Sequence, residues 1–198
     1  MKLRVMIAGG GTGGHLFPGI AIAQALLEEH PDAEILFVGT RHGIEFRVVP
    51  QHGFRLETIS AGGLMRMGFL RTLLNLFKLP WSFLQSLLIV LRLMPHVAIG
   101  VGGYASGPAM LAAWLLLRPT MIIEQNSVPG RTNRILARLV KKAVTAFSKT
   151  GNYFPASKIV ELGNPVRPAF IRNGASTLRK VGSDDRLRLG LLGSQQIL

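Results

Sequence analysis

The sequence predicts an α/β protein with a doubly wound parallel sheet, of the Rossmann-like type. Short apolar segments alternate with longer segments of helical character along the chain. The short segments are almost continuously hydrophobic, which is typical of parallel strands covered on both faces. Two of them run into glycine-rich loops that directly precede a helix, an arrangement found where such sheets bind ligands.

The individual elements follow from local patterns. Short apolar runs bounded by glycine or polar residues predict strands at residues 3–8, 34–38, 54–59, 97–101 and 121–123. Apolar spacings of three and four predict helices at residues 18–30, 69–94, 105–117 and 129–142. Pro18 is expected to open the first helix, and Pro80 is expected to break the second.

The end of the chain is predicted to leave this first domain. We expect residues 1–168 to form one domain and the polar residues 169–186 to form a linker. Residues 187–198 resemble the first strand and loop of a second domain. The expectation is therefore a chain that carries one domain and only the beginning of another.

Charge is distributed unevenly along the 198 residues, whose formal net charge is +13. Residues 1–60 contain five bases and six acids, whereas residues 61–198 contain 18 bases and four acids. This asymmetry indicates an anionic partner, which could be a nucleic acid, a phosphorylated substrate or an acidic lipid. Only 7% of the residues are aromatic and none alternate with bases, so nucleic acid is not expected.

The sequence gives no sign of chemistry that depends on cysteine sulfur or on a bound metal. The chain contains no cysteine, which excludes disulfide scaffolds, thiolate zinc sites and thiol catalysis. Its five histidines show no spacing typical of metal ligands.

The most apolar stretch, residues 69–94, suggests contact with a membrane surface. Its longest uncharged run, residues 79–91, is shorter than the roughly 20 residues that span a bilayer. The stretch has more apolar side chains than one stripe of a helix can hold, and Arg71, Lys78 and Arg92 interrupt it. This pattern favours an interfacial helix over one that only packs on the sheet. A second basic helix face is predicted within residues 129–142.

The two glycine loops, residues 9–15 and 102–108, predict an anion-binding crevice. The first satisfies the dinucleotide fingerprint G-x-G-x-x-G, but no acid ends the second strand to hold a ribose. Arg41 could face a 2′-phosphate there, so NADP remains an alternative ligand. His15 and Leu16 replace the Lys–Ser/Thr pair that a nucleoside triphosphatase loop requires.

Polar side chains in and near these loops are candidates for chemistry. His15, the titratable residue of the first loop, is either a general base or an anion contact. Glu124, Gln125 and Asn126 follow a predicted strand, where they suit either ligand binding or the capping of the next helix.

Four segments together resemble the MurG family of bacterial N-acetylglucosaminyltransferases, which convert lipid I to lipid II in peptidoglycan synthesis. The segments are GGGTGGHLFPGIAIAQAL, GVGGYASGPAMLAAW, IIEQNSVPGRTNR and GNPVR. The resemblance implies the N-terminal, acceptor-binding domain of a GT-B glycosyltransferase that uses UDP-N-acetylglucosamine and inverts the anomeric centre. It also implies a peripheral position on the cytoplasmic face of the cell membrane, an anionic lipid partner, and no metal or other cofactor.

The same resemblance implies roles for particular residues. His15 is the implied base, and Glu124 and Gln125 are supporting residues. The residues implied to bind the acceptor diphosphate are Gly10, Gly11, Gly102, Gly103, Tyr104 and Ser106. Those implied to bind the donor are Thr12, Gly13, Gly14, Asn126, Arg167 and Ser194. The implied membrane patch consists of Leu73, Leu74, Phe77, Trp81 and Trp114.

The sequence departs from the family at a third loop. Where the family has G-G-S-Q-G-A, this chain has Leu192 followed by GSQQIL. We therefore expect the chain to supply the acceptor half of the enzyme and to be inactive alone. The alternative is a non-catalytic subunit that binds the acceptor, anchors to the membrane and works with a separate donor-domain chain.

Overall fold

A single parallel sheet organises residues 2–62 and 69–165, which the computed structural model describes, with only the backbone for residues 69–78. Within these ranges the sheet has seven strands in the order β3-β2-β1-β4-β5-β6-β7. The strands are β1 Arg4–Gly9, β2 Glu34–Gly39, β3 Arg55–Thr58, β4 Val97–Gly102, β5 Thr120–Glu124, β6 Lys142–Thr145 and β7 Ile159–Glu161. This topology confirms the predicted doubly wound sheet.

Helices cover both faces of the sheet. They are α1 Gly13–Glu29, α2 Glu45–Gln51, α3 Phe69–Leu93, α4 Ser106–Leu115 and α5 Arg131–Leu136, followed by 3₁₀ turns at Ser148–Tyr153 and Ala156–Lys158. Val5 and Ile7 of β1 pack in one core with α1 and α2, whereas Met6 and Ala8 pack in the other with α3, α4 and α5. Because alternate side chains of a strand point to opposite faces, Val5, Met6, Ile7 and Ala8 must all be apolar.

The order of the strands reverses beside β1. After β1 the chain builds β2 and β3 on one side, and it then returns to place β4 on the other side of β1. At such a point the connections leave the two strand ends in opposite directions and open a crevice at the carboxyl edge. Both glycine loops lie there, since one follows β1 and the other follows β4.

Three boundaries predicted from sequence are wrong. Helix α1 begins at Gly13 rather than at Pro18. Pro18 therefore lies inside the helix, where its missing N–H costs one backbone hydrogen bond. Helix α3 continues across Pro80, because its later turns are held by the buried Ile89, Val90 and Leu93. The predicted helix at residues 129–142 ends at Leu136, and its last residue instead begins β6.

Other features are short or lie outside the described residues. The sequence patterns did not predict α2, β6 or β7, each of which has seven residues or fewer. The predicted linker at residues 169–186 and the strand and loop at 187–198 fall outside the described ranges and remain predictions.

We predict that Gly103→Ala destabilises the protein more than Gly53→Ala. Both glycines have positive φ, +85° and +79°, so alanine is strained at each. A Cβ on Gly103 would overlap the carbonyl oxygen of Gly10, whereas a Cβ on Gly53 would meet nothing within 4 Å. Urea unfolding should give a loss of about 1 kcal/mol for Gly53→Ala and at least about 2 kcal/mol more for Gly103→Ala. Equal losses would contradict the close contact of the two loops.

Candidate active site

The two glycine loops touch each other at the carboxyl edge of the sheet. The amide of Gly10 donates a hydrogen bond to the carbonyl oxygen of Gly102 over 3.1 Å. Gly102 and Gly103 have φ of +98° and +85°, which lets the second loop turn under the first. The loops therefore line one crevice, as their positions in the sequence predicted.

The backbone amides that face this crevice belong to the start of α1. The amides of Gly10 and Gly11 are engaged, the first with Gly102 and the second with a carboxylate oxygen of Glu45 at 2.7 Å. The first amides of a helix have no partner within the helix, and those of Gly13 and Gly14 have none elsewhere in the described part of the chain. An anion would be stabilised at these two amides and by the positive end of the helix dipole.

His15 lies in the first turn of α1, against the second loop. Its Nδ1 is buried and has no hydrogen-bond partner among the described residues, and it would lie 2.8 Å from a Cβ placed on Gly102. The Gly102 position therefore needs glycine to make room for the imidazole. With Nδ1 turned into the protein, Nε2 is the nitrogen left to face a ligand.

The predicted polar residues of the second loop differ in access. The side chain of Tyr104 is 51% exposed next to the crevice. Ser106 is fully buried, its Oγ has no partner in the described residues, and this atom packs against the Gly100 backbone. A ligand has no access to the Ser106 hydroxyl in this conformation, so its predicted contact with a diphosphate requires the loop to open.

Glu124 organises the polar segment after β5. Its carboxylate is buried and accepts four hydrogen bonds, from the amides of Asn126 and Gly130 and from the side chains of Asn126 and Asn133, at 2.9–3.2 Å. Thr150 also holds this segment, because its hydroxyl donates to the Asn126 carbonyl over 2.9 Å. Because Asn126 Nδ2 is held by Glu124, its Oδ1 is left to accept a hydrogen bond from a ligand.

Gln125 connects this segment to the second loop. Its Nε2 donates to the carbonyl of Val101, at the end of β4, over 3.3 Å. The side chain is buried, and its Oε1 has no partner in the described residues. Glu124 and Gln125 thus hold the segments around the crevice and do not line its surface.

Glu45 is the main site residue that sequence analysis missed. It lies at the start of α2, is 1% exposed, and accepts hydrogen bonds from the amide and hydroxyl of Thr40, both at 2.9 Å. The fingerprint requires an acid at the end of the second strand, but this acid comes six residues after β2 and lies beneath the first loop. It therefore does not occupy the position of a ribose-binding carboxylate.

Exposed apolar side chains extend over α3 and α4. Trp81 is 55% exposed and Trp114 is 41% exposed, although both helices contribute to the same core. We call the exposed set the apolar patch: Trp81, Leu84, Leu88, Leu91, Leu111, Trp114, Leu115 and Leu117. None of the helices within the described ranges is both long enough and apolar enough to cross a bilayer.

Several predicted residues are not placed by the structure. The side chains of Leu73, Leu74 and Phe77 are outside the described part, as are Arg167 and Ser194 entirely. Across the residues that are described, no three His, Asp or Glu side chains cluster as metal ligands would.

We predict that Glu124→Gln lowers the free energy of unfolding by about 2–4 kcal/mol, because an amide NH₂ cannot accept the hydrogen bonds that one carboxylate oxygen accepts. Glu34→Gln is the matched control, since Glu34 pairs with Arg55 at the surface, where the Arg55 side chain is 67% exposed. That change should cost less than about 1 kcal/mol in the same denaturant titration. Similar losses for both variants would show that the Glu124 network does not hold this segment.

Comparison with known proteins identifies the family of the chain. Residues 5–145 match the N-terminal domain of glycosyltransferase family 28. A UDP-N-acetylglucosamine–N-acetylmuramyl-(pentapeptide) pyrophosphoryl-undecaprenol N-acetylglucosamine transferase of Syntrophus aciditrophicus is 50% identical over 99% of this chain and 54% of its own length. The transferase of the same name from Anaeromyxobacter sp. (strain K) is 47% identical over 98% of this chain and 50% of its own.

Solved structures show the same relationship. MurG of Acinetobacter baumannii superposes with a TM-score of 0.71 at 34% identity, covering 83% of this chain and 46% of that one. A UDP-N-acetylglucosamine 2-epimerase of Rickettsia bellii, with a TM-score of 0.62 at 14% identity, shares the fold alone. This chain spans about half the length of the curated relatives it matches. It belongs to glycosyltransferase family 28, whose N-terminal domain it carries.

Proposed function

We propose that this chain supplies the acceptor-binding half of a transferase that moves N-acetylglucosamine from UDP-N-acetylglucosamine to lipid I. Lipid I is undecaprenyl-diphospho-N-acetylmuramoyl-pentapeptide, and its product, lipid II, is used in peptidoglycan synthesis. The names of the relatives give the donor and the acceptor. The observation that carries the proposal is the crevice in which free amides of α1, the second glycine loop and His15 converge.

The acceptor diphosphate is proposed to bind where the two loops meet. The amides of Gly13 and Gly14 lie at the positive end of α1 and have no partner among the described residues, and the half-exposed Tyr104 belongs to the second loop. Gly10, Gly11, Gly102 and Gly103 shape the crevice by allowing the backbones to approach.

His15 is proposed to act as the general base. The acceptor 4-hydroxyl attacks C1 of N-acetylglucosamine, and the bond from C1 to the UDP oxygen breaks, so that UDP leaves with that electron pair. As the new bond forms at the opposite face, Nε2 of His15 takes the hydroxyl proton. Attack from the face opposite the leaving group inverts the anomeric centre.

The donor is proposed to contact the same edge of the sheet. Thr12, exposed at the cap of α1, lies next to the free amides of Gly13 and Gly14, and the free Oδ1 of Asn126 provides an acceptor. Arg167 and Ser194 are proposed donor contacts from sequence alone. The family resemblance implies Gly13 and Gly14 as donor contacts. We instead propose their amides for the acceptor diphosphate and the neighbouring Thr12 and Asn126 for the donor, so that both ligands are bound together.

The apolar patch is proposed to rest on the cytoplasmic face of the cell membrane. Its leucine and tryptophan side chains would enter the interface. Arg92 on α3 is 68% exposed although it lies 3.4 Å from Glu57, and it would turn to face anionic headgroups. A peripheral position of this kind would bring the crevice close to the undecaprenyl chain of the acceptor.

We predict that this chain, joined to the C-terminal half of the Syntrophus relative, transfers labelled N-acetylglucosamine to lipid I. In that chimera His15→Ala should lower turnover by about 10²–10⁴-fold, the usual contribution of general-base catalysis. Vesicle binding should stay unchanged. Turnover of His15→Ala within about 10-fold of the parent would remove His15 as the base.

The unfused chain distinguishes the two forms of the proposal. It should not turn over lipid I alone, and robust turnover would contradict an acceptor half. If affinity purification recovers a separate donor-domain protein with it, the chain is a subunit of a split enzyme.

We predict that both tryptophans report membrane binding. The chain contains two, Trp81 and Trp114, and both lie on the apolar patch, so anionic vesicles should shift their fluorescence to shorter wavelength. Leu115→Ser, which changes a side chain that is 54% exposed on the patch, should weaken vesicle binding several-fold. The control Phe147→Ser changes a side chain that is 51% exposed beyond β6 and should bind like the parent. Equal weakening by both changes would contradict a localised patch.

A further inference from the structure

We propose that Glu45 is a positioning residue of the anion-binding crevice. It fixes the first glycine loop from beneath and directs the diphosphate to the amides of Gly13 and Gly14 rather than to that of Gly11. The inference rests on the proposed diphosphate site and adds a residue that contacts the loop but not the ligand.

The side chain of Glu45 lies in a space that three glycines leave open. A Cβ on Gly10, Gly39 or Gly43 would overlap the carboxylate or side chain of Glu45. These glycines belong to the first loop, to the end of β2 and to the turn before α2, so one carboxylate joins three separate parts of the chain.

The carboxylate is satisfied by backbone and hydroxyl donors alone. Oε2 accepts the Gly11 amide at 2.7 Å, and Oε1 accepts the amide and the hydroxyl of Thr40 at 2.9 Å. Among the described residues no Lys or Arg forms an ion pair with it. A carboxylate buried to this degree is costly unless its donors stay in place, so the loop and the acid hold each other.

This arrangement determines which amides can meet a ligand. The Gly11 amide points down to Glu45, whereas the amides at the start of α1 have no partner within residues 2–62 and 69–165. The negative charge beneath Gly10 and Gly11 disfavours a second anion there. A diphosphate is therefore expected to bind toward Gly13 and Gly14.

Glu45→Gln tests the role with little change of shape. The amide oxygen of glutamine can accept both Thr40 bonds, but its NH₂ then faces the Gly11 amide as donor against donor. Thr40→Val is a second variant that keeps the charge and removes the hydroxyl donor, and Thr40→Ser restores that hydroxyl. Val90→Ala, in the core on α3, controls for a general loss of stability.

The first measurement, amide hydrogen exchange by NMR, needs no ligand. In the 198-residue chain Gly11 should be protected, and Glu45→Gln should speed its exchange at least about 10-fold more than Val90→Ala does. Thr40→Val should give a smaller increase, and Thr40→Ser should match the parent within about 2-fold. Were Glu45→Gln to fail to fold, the Thr40 pair would decide the question. An unprotected Gly11 amide in the parent, or equal exchange in all the variants, would overturn the proposal.

The second measurement is titration with inorganic pyrophosphate, followed by amide shifts. The parent should show shifts at Gly13 and Gly14 larger than at Gly11, and Glu45→Gln should bind about 10-fold more weakly. Unchanged or tighter binding by Glu45→Gln would overturn the positioning role, because the only effect of Glu45 on the ligand would then be charge repulsion. If the parent does not bind pyrophosphate, the proposed diphosphate site fails, while Gly11 exchange still decides whether Glu45 holds the loop.

Discussion

The hydrogen bond from the Gly10 amide to the Gly102 carbonyl joins the two connections that leave the sheet at its switch point. It requires both backbones to approach without side chains, and Gly103 allows this because a Cβ there would strike Gly10. Once the loops are in contact, the first turn of α1 lies over the second loop, and the imidazole of His15 fills the space above Gly102. The crevice, its free amides and its candidate base all depend on this one approach.

Two buried carboxylates support the crevice from opposite sides. Glu45 holds the first loop against the end of β2, and Glu124 holds the segment that carries Asn126. Both are satisfied by amides and neutral side chains, so neither requires a basic partner among the described residues. Among the described residues only Arg55 and Arg92 form ion pairs, with Glu34 and Glu57, so most of the basic side chains have no acidic partner there. This fits the proposed diphosphate and acidic membrane as partners.

Much of the fold was predictable because parallel strands buried on both faces have a strong and simple signal. Strands β1, β2, β4 and β5 were placed within a residue or so at each end, and the two loops at their ends predicted a shared crevice. The helix predicted at residues 129–142 is too long because the apolar spacing continues through Val140. The chain leaves the helix after Leu136 and enters β6, where Ala143 and Val144 pair with β5. Glu45 was missed because Gly10 is distant in sequence from Gly39 and Gly43, and the three form the space for Glu45 only in the folded chain. For the same reason the burial of the Ser106 hydroxyl had no sequence signal.

The proposed site of the diphosphate is the point where α1 begins and the two loops meet. A crystal structure of the chain with a soluble short-chain prenyl diphosphate would show whether the ligand binds there. Phosphate oxygens are expected about 3 Å from the amide nitrogens of Gly13 and Gly14, beside the ring of His15, with the Gly11 amide still on Glu45. A diphosphate bound away from this crevice, or one that displaces Glu45 from Gly11, would contradict it.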